Sequence, residues 1–243
     1  MPAHSMEEST LQASNGGLHV ALIPDGNGRW AEARGRSRSE GHRAGIEAVR
    51  RTAEAAPRLG IRTFTLFAFS SENWQRPAAE VANLMRIFES YLREAAPRAV
   101  EHDVRISVLG RRSRLAGGLP AAIVDAERAT RAGRRLHFRL AVDYSARDEI
   151  LRAAEQLNVR RPATREDFSR LLAPDEPVPV DLLIRTAGDL RLSDFLLWEC
   201  AYAELYFTPR LWPDFTVADF EDALADFHAR ERRFGRLPQL AAR

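Results

Sequence analysis

His19-Val-Ala-Leu-Ile-Pro-Asp-Gly-Asn-Gly-Arg-Trp30 is the stretch on which the reading of this chain turns. Four apolar residues, Val20 to Ile23, stop at Pro24, and Asp25, Gly26, Asn27, Gly28 and Arg29 follow at once. A short apolar run bounded by turn residues predicts a buried strand. Its end then delivers one carboxylate, one guanidinium and several free backbone N–H groups into a small volume. Glycine lets a backbone close around an anion, Arg29 offers a planar fork to phosphate oxygens, and Asp25 is a hard oxygen ligand for Mg2+. The stretch therefore suits a magnesium-bound phosphate. The plain alternative for an isolated Asp-Gly-Asn-Gly is a strand-to-helix turn with local hydrogen bonds. An EF-hand would need an oxygen ligand at the fifth loop position and Glu at the twelfth, where Arg29 and Arg36 stand, so that reading fails. A phosphatase forming an aspartyl-phosphate would place a second Asp two residues before Asp25, and Ile23 is there instead.

Working outward, a chain of 243 residues that is 45% hydrophobic can bury one substantial core. One domain is expected over residues 18–236, between a polar, disordered start at 1–17 and a short tail at 237–243. Lys and Arg number 36 against 34 Asp and Glu, a net charge of +2, which does not favour nucleic-acid binding. A single cysteine, Cys200, excludes an internal disulfide and a cysteine zinc cluster, and fits a reducing cytoplasm. Neither a signal peptide nor a run of about 18 apolar residues is present.

After the first loop, a helical pattern runs from about Gly41 to Leu59 and closes at Gly60. Arg34, Arg36, Arg38, His42 and Arg43 crowd its entrance, where free N–H groups favour an anion; a solvated charged turn is the bland alternative. Thr63–Phe69 is a strand by its β-branched and aromatic content, and it leads into Ser70-Ser-Glu-Asn-Trp-Gln-Arg-Pro77, a second polar loop. A helical stripe (78–95), a strand (104–109), a helix (120–131), a strand (136–142), a helix (146–157), a Pro-rich connection, a strand (181–184) and a last helix (217–230) follow. Alternation of this kind argues an α/β fold with a central, mainly parallel sheet flanked by helices, and ligands collect at the carboxyl ends of such strands. A third polar cluster begins where the 181–184 strand stops. Its Arg185, Arg191 and Ser193 could hold a second phosphorylated ligand. Glu204 lies in an aromatic-rich run that disfavours a bare carboxylate without a partner or metal.

HVALIPDGNGRWA, the Gly-His-Arg of residues 41–43, FAFSSENWQRP, DLLIRTAGDLRLSDFLLWECAYAELYF, LWPDF and RERRFG together resemble the cis-prenyltransferases, typified by undecaprenyl diphosphate synthase. The resemblance covers nearly the whole chain. It implies a homodimer with a hydrophobic tunnel for the growing prenyl chain, and Mg2+-dependent condensation of an allylic diphosphate (dimethylallyl, geranyl or farnesyl) with isopentenyl diphosphate to form a cis-prenyl diphosphate. Carried over, Asp25 is the magnesium-linked catalytic carboxylate and Glu204 its second metal-linked carboxylate. Gly26, Asn27, Gly28, Arg29, Trp30, Arg38 and His42 go to the allylic diphosphate. Arg185, Arg191, Leu192 and Ser193 go to isopentenyl diphosphate, and Ser70, Ser71, Glu72, Trp74 and Arg76 to further substrate contacts. Asn73 stands where the family's proton acceptor is placed; a neutral amide is a poor base, so Asn73 is read as orienting the substrate while pyrophosphate or His42 helps remove the proton.

Several positions depart from the family pattern. Pro24 replaces a Met, Ala187 and Asp189 stand in a usual Gly-Gly-Glu, Asp143-Tyr-Ser-Ala replaces Asn-Tyr-Gly-Gly, and Asp194 replaces Asn. These keep open a specialised enzyme making a short or irregularly joined product. Small Ala68 leaves room in the first part of the tunnel, while bulky Phe138 near its floor points to a short product, provided its side chain faces the tunnel. A cytoplasmic location is expected, with membrane-surface contact if the product is a long lipid. A non-catalytic subunit is disfavoured, because Asp25, Arg29, Arg185 and Arg191 are all retained.

Overall fold

A computed structural model describes residues 17–157, 162–173 and 178–230. The two expected tails, apart from Gly17, and residues 231–235 of RERRFG lie outside them. In chain order the elements are β1 (Leu18–Ile23), α1 (Asn27–Glu32), α2 (Arg38–Ala55), β2 (Ile61–Ser70), α3 (Ala78–Glu101), β3 (Val104–Leu109), α4 (Leu119–Thr130), β4 (Leu136–Tyr144), α5 (Ala146–Gln156), α6 (Arg165–Leu172), β5 (Leu182–Arg185), β6 (Glu204–Phe207) and α7 (Val217–Ala229). The six strands form one sheet in the order β3-β4-β2-β1-β5-β6, and every neighbouring pair is parallel.

Side chains alternate across a strand, and here the alternation separates two cores. Val20 and Leu22 of β1, Phe64 and Leu66 of β2, and Phe138 and Leu140 of β4 pack on one face with Leu84, Tyr91 and Leu92 of α3 and Phe220 and Phe227 of α7. Ala21, Ile23, Phe67, Ala141 and Leu183 face the other way, against Phe195, Leu196 and Cys200. The β2 register slips between Phe67 and Phe69, a bulge at Ala68 beside the site. Phe67 stacks on Phe195 with ring centroids 4.5 Å apart, while Phe69 meets Trp74 edge-on on the opposite face.

The α2 helix begins earlier than its apolar pattern suggested. Ser37 and Glu40 form a capping box at its start, and its helical turns give way at Ala55 to a 3₁₀ turn ending at left-handed Gly60. The Ser37 side chain therefore takes one of the N–H groups that the sequence offered to an anion, and Arg34 turns away to Asp214 while Arg36 stacks over Trp30. Gly41 and Gly45, one turn apart on α2, let α1 approach closely. A Cβ at Gly41 would lie 2.2 Å from the Asn27 carbonyl, and one at Gly45 would lie 2.4 Å from Asn27 Oδ1. Three elements escaped the sequence reading: α1, α6 in the Pro-rich connection, and β6 in the aromatic run. No helix among the described residues is long and apolar enough to cross a membrane.

Candidate active site

Strand β1 sits between β2 and β5, so the chain leaves it toward one half of the sheet and returns on its other side. The carboxyl ends of β1 and β5 at such a switch point open a crevice, and there Asp25 meets Arg185. Left-handed Gly26 (φ 100°) turns the chain from β1 into α1, and Trp30 N donates to Gly26 O as the helix begins. The Asp25 N–H donates to Thr186 Oγ1, whose hydroxyl donates back to the Asp25 carbonyl, both at 2.8 Å. Trp212 N also donates to the Asp25 carbonyl at 3.0 Å. The main chain at Asp25 is thus fixed from both sides.

Buried Arg185 organises the charges. Its Nη2 reaches Asp25 Oδ2 at 3.0 Å and Asp189 Oδ2 at 3.3 Å, while Nη1 donates to Ser193 Oγ at 2.7 Å and to the Arg191 carbonyl at 2.6 Å. Arg29 lies 3.3 Å from Asp25, and Arg191 pairs with Asp189 at 2.8 Å. Burial alone would raise the Asp25 carboxyl. The hydrogen bond from Arg185, the contact with Asp189 and the Gly26 N–H outweigh it and hold Asp25 below the ordinary carboxylate range. Arg29 and Arg191 remain half or more exposed, 50% and 62%, and so present their forks to a ligand, whereas Arg185 at 4% is spent inside the protein.

A second knot lies across the opening. Glu80 of α3 accepts from Arg38 Nε at 3.3 Å and from Arg76 Nη1 at 3.2 Å, and His42 Nε2 stands 3.4 Å away. Burial lowers the His42 pKa more than Glu80 raises it, so its imidazole is neutral at pH 7. Asn73 Oδ1 accepts from Ser70 N at 3.2 Å, closing the turn after β2 and leaving the amide NH2 and the second lone pair of Oδ1 for a substrate.

These groups ring the mouth of a cavity of about 640 Å³. Asp25, Gly26, Asn27, Gly28, Arg29, Arg38 and His42 line it from one side, Ser70, Glu72, Asn73 and Arg76 from a second, and Arg185, Asp189, Arg191 and Ser193 from a third. Below the polar mouth the walls become apolar: Leu66, Ala68, Phe88, Tyr91 and Leu140. Five carried-over residues stand elsewhere. The Trp30 indole donates to Asp214, Ser71 Oγ donates to Asp143, Trp74 faces the outer side of α3, and Leu192 packs on the far face of the sheet. Glu204 opens β6 opposite Leu182, three residues short of the site end of β5, and pairs with Arg230 at 2.8 Å, so it is not brought to Asp25. The carboxylate that does join Asp25 is Asp189.

Asp189 and Glu80 were not read from the sequence as site residues. Each stands four residues after an arginine of the site, Arg185 and Arg76, but neither pair shares a helix, so the spacing alone carries no helical ion-pair signal. Among the described residues no group of three or more His, Cys, Asp or Glu could hold a metal. Mg2+ is commonly held by one or two carboxylates together with substrate phosphates and water, and Asp25 with Asp189 fits that demand.

Residues 23–235 match the prenyltransferase family described as "Putative undecaprenyl diphosphate synthase". Isoprenyl transferase 1 of Bradyrhizobium diazoefficiens is 54% identical over 95% of this chain and 94% of its own length. The ditrans,polycis-undecaprenyl-diphosphate synthase ((2E,6E)-farnesyl-diphosphate specific) of Haemophilus ducreyi is 42% identical over 95% of this chain and 99% of its own. The crystal structure of lavandulyl diphosphate synthase from Lavandula x intermedia in complex with dimethylallyl diphosphate superposes with a TM-score of 0.86 at 40% identity, covering 91% of this chain and 99% of that one. With the parallel sheet, the paired cationic clusters and the apolar cavity beneath them, these likenesses show that the chain belongs to the cis-prenyltransferase family and is an enzyme of prenyl transfer.

Proposed function

We propose that the chain condenses an allylic diphosphate with isopentenyl diphosphate, with Mg2+, at the mouth of the 640 Å³ cavity, and that its product is short. The observation that carries the reading is the placement of two separate groups of cations, Arg38 and Arg76 gathered on Glu80 and Arg29 and Arg191 gathered on Asp189 beside Asp25, above one apolar shaft. Two diphosphates and one hydrocarbon chain match that arrangement. Asp25, with Asp189 beside it, would hold Mg2+, which would supply charge neutralisation for the departing diphosphate.

The chain's own groups do the rest. Backbone N–H groups at the start of α1 and the Arg29 fork meet oxygens on which negative charge grows as the allylic C–O bond breaks. Arg191 and Ser193 orient the second diphosphate, with Ser193 and the Arg191 backbone held in place by Arg185. Leu66, Phe88 and Leu140 exclude water from the developing cation. Neutral His42 can accept the proton lost as the new double bond forms; Asn73, held by its bond to Ser70, orients the substrate.

Tyr91 limits chain growth. It forms part of the 640 Å³ cavity and also of a second cavity of about 330 Å³ that continues along the same face of the sheet. Phe138 does face this side, yet it lines only the second cavity, beyond Tyr91. Register sets Leu140 level with Leu66 and Leu22, three residues before Asp25, so the shaft reaches about 10 Å below that carboxylate. An extended isoprene unit, four bonds of ~1.5 Å, spans about 5 Å, so roughly two units fit. The dimethylallyl diphosphate bound by the lavandulyl enzyme agrees in size.

A homodimer would use the β6 edge, a reading supported by exposed Trp198, Tyr202 and Leu205 beside the end strand of the sheet. The reaction is assigned to the cytoplasm, in keeping with the one described cysteine, Cys200, being a buried free thiol. The test is Asp25→Ala. Turnover should fall by orders of magnitude while the Michaelis constants change far less, because the lost interactions strengthen in the transition state. Near-normal turnover would remove Asp25 from the mechanism.

A further inference from the structure

Ser193 and Asp194 are the central residues of a turn in which Phe195 N donates to the Leu192 carbonyl at 3.2 Å. Both lie in the left-handed region, Ser193 at φ 50° and Asp194 at φ 63°, where a turn usually carries Gly, Asn or Asp. A serine held there is strained and persists only because contacts around the turn maintain it. Phe195 and Leu196, fully buried on the far face of the sheet, anchor one side. Asp194 anchors the other. Its Oδ2 accepts from Ser145 Oγ at 2.5 Å and its Oδ1 from Arg147 N at 3.0 Å, while its carbonyl accepts from Ala146 N at 3.0 Å. Ser145 caps α5, and the first N–H groups of a helix have no partner within it, so a carboxylate suits this position. What the turn presents to the cavity is Ser193. Its Oγ accepts from Arg185 Nη1 at 2.7 Å, which leaves the hydroxyl proton for a ligand oxygen. Asp194 itself does not line the cavity.

We infer that Asp194 is a positioning residue for isopentenyl diphosphate: docked on Ser145 and Arg147, it holds Ser193 in the left-handed turn from which the Ser193 hydroxyl meets the diphosphate. The inference rests on the isopentenyl diphosphate subsite proposed above and adds to it a residue that does not touch substrate. A carboxylate that merely capped α5 would change stability alone, whereas a positioning residue changes the affinity for one of the two substrates. Asparagine can replace it, since its Oδ1 can accept from Arg147 N and its Nδ2 can donate to Ser145 Oγ. The contact of Arg147 Nε with Asp194 at 3.4 Å belongs to a side chain that is 69% exposed, so losing that charge pair matters little. Alanine keeps none of these side-chain bonds.

Steady-state kinetics of full-length wild type, Asp194→Ala, Asp194→Asn and Arg191→Ala, with each substrate varied in turn, test it. Asp194→Ala should raise the Michaelis constant for isopentenyl diphosphate about tenfold, the loss of one charge-assisted hydrogen bond, with the allylic constant and kcat within about twofold. Asp194→Asn should behave as the wild type. Hydrogen exchange of the free protein should be faster across residues 191–196 in Asp194→Ala and not in Asp194→Asn, which ties the kinetic loss to the turn without any substrate. If Asp194→Ala does not fold, Ser145→Ala, which removes the hydroxyl that donates to Oδ2, should raise the same constant about threefold. The inference is overturned if Arg191→Ala raises the isopentenyl constant while Asp194→Ala leaves it unchanged, if Asp194→Ala weakens both substrates equally, or if Asp194→Asn fails as alanine does. No isopentenyl effect in Arg191→Ala overturns the subsite and this inference with it, whereas the other three results leave the subsite standing.

Discussion

Replacing Tyr91 by Ala removes the ring that divides the two cavities and should lengthen the product. The gain follows from the geometry. Phe138 is level with Phe64, two residues below the Leu140–Leu66 level, so the chamber beyond Tyr91 deepens the shaft by about 7 Å at ~3.3 Å per residue. Its 330 Å³ holds about ten carbons, so the product should grow by roughly two isoprene units. Truncating a buried aromatic costs about 3–5 kcal/mol, at the lower end here because cavities already flank the ring; Tyr91→Leu is the milder companion. The assay is mass analysis of dephosphorylated products after prolonged incubation with excess isopentenyl diphosphate, with thermal unfolding confirming a folded enzyme. Phe138→Ala serves as the control: it enlarges only the far chamber and should leave product length unchanged. Unchanged products from folded Tyr91→Ala, or longer products from Phe138→Ala, would refute Tyr91 as the floor.

Arg191→Ala should raise the Michaelis constant for isopentenyl diphosphate about tenfold, the loss of one charge-assisted contact, with little change for the allylic partner; steady-state kinetics with each substrate varied decides, and equal losses would contradict two separate diphosphate sites. Stability should fall with acid because of His19, wholly buried between β2 and the segment before β5, where burial first and then Arg139 depress its pKa to about 3. The unfolded chain takes up the proton near pH 6.5 and the folded one only near 3, so stability present above 6.5 is lost progressively down to about 3, by about 2 kcal/mol at pH 5. Denaturant melts at pH 7 and 5 measure this, and His19→Gln should flatten the difference.

The first loop was legible because its information is local: an apolar run, a proline and two glycines place Asp25 and Arg29 whatever the rest of the chain does. The parallel sheet followed from alternation of long, clear elements. β6 was missed because four edge residues, Glu204–Phe207, carry little pattern of their own and become a strand only by pairing with β5. α6 is marked by a Thr164–Asp167 capping box, a signal weaker than the prolines around it. The misplacement of Glu204 has the same origin, since the register that leaves it short of the site is tertiary. Resemblance supplied a role for Trp30 and Trp74 without a direction, and their rings turn to Asp214 and to the outer side of α3. Asp189 and Glu80 gather cations from distant segments, Arg29 in one case and Arg38 with His42 in the other, and such convergence is invisible along the chain.

Prenyl transfer at the Asp25 cavity is tested most directly by incubating the wild type and Asp25→Ala with dimethylallyl, geranyl or farnesyl diphosphate and Mg2+, with and without isopentenyl diphosphate, and weighing the products. The wild type with dimethylallyl diphosphate should give prenyl diphosphates of about two isoprene units, the number that fits the shaft at ~5 Å per unit. They should depend on isopentenyl diphosphate and be nearly absent from Asp25→Ala. Long polyprenyl diphosphates from farnesyl diphosphate would contradict the short shaft, and phosphate release without any prenyl product would contradict prenyl transfer at this site.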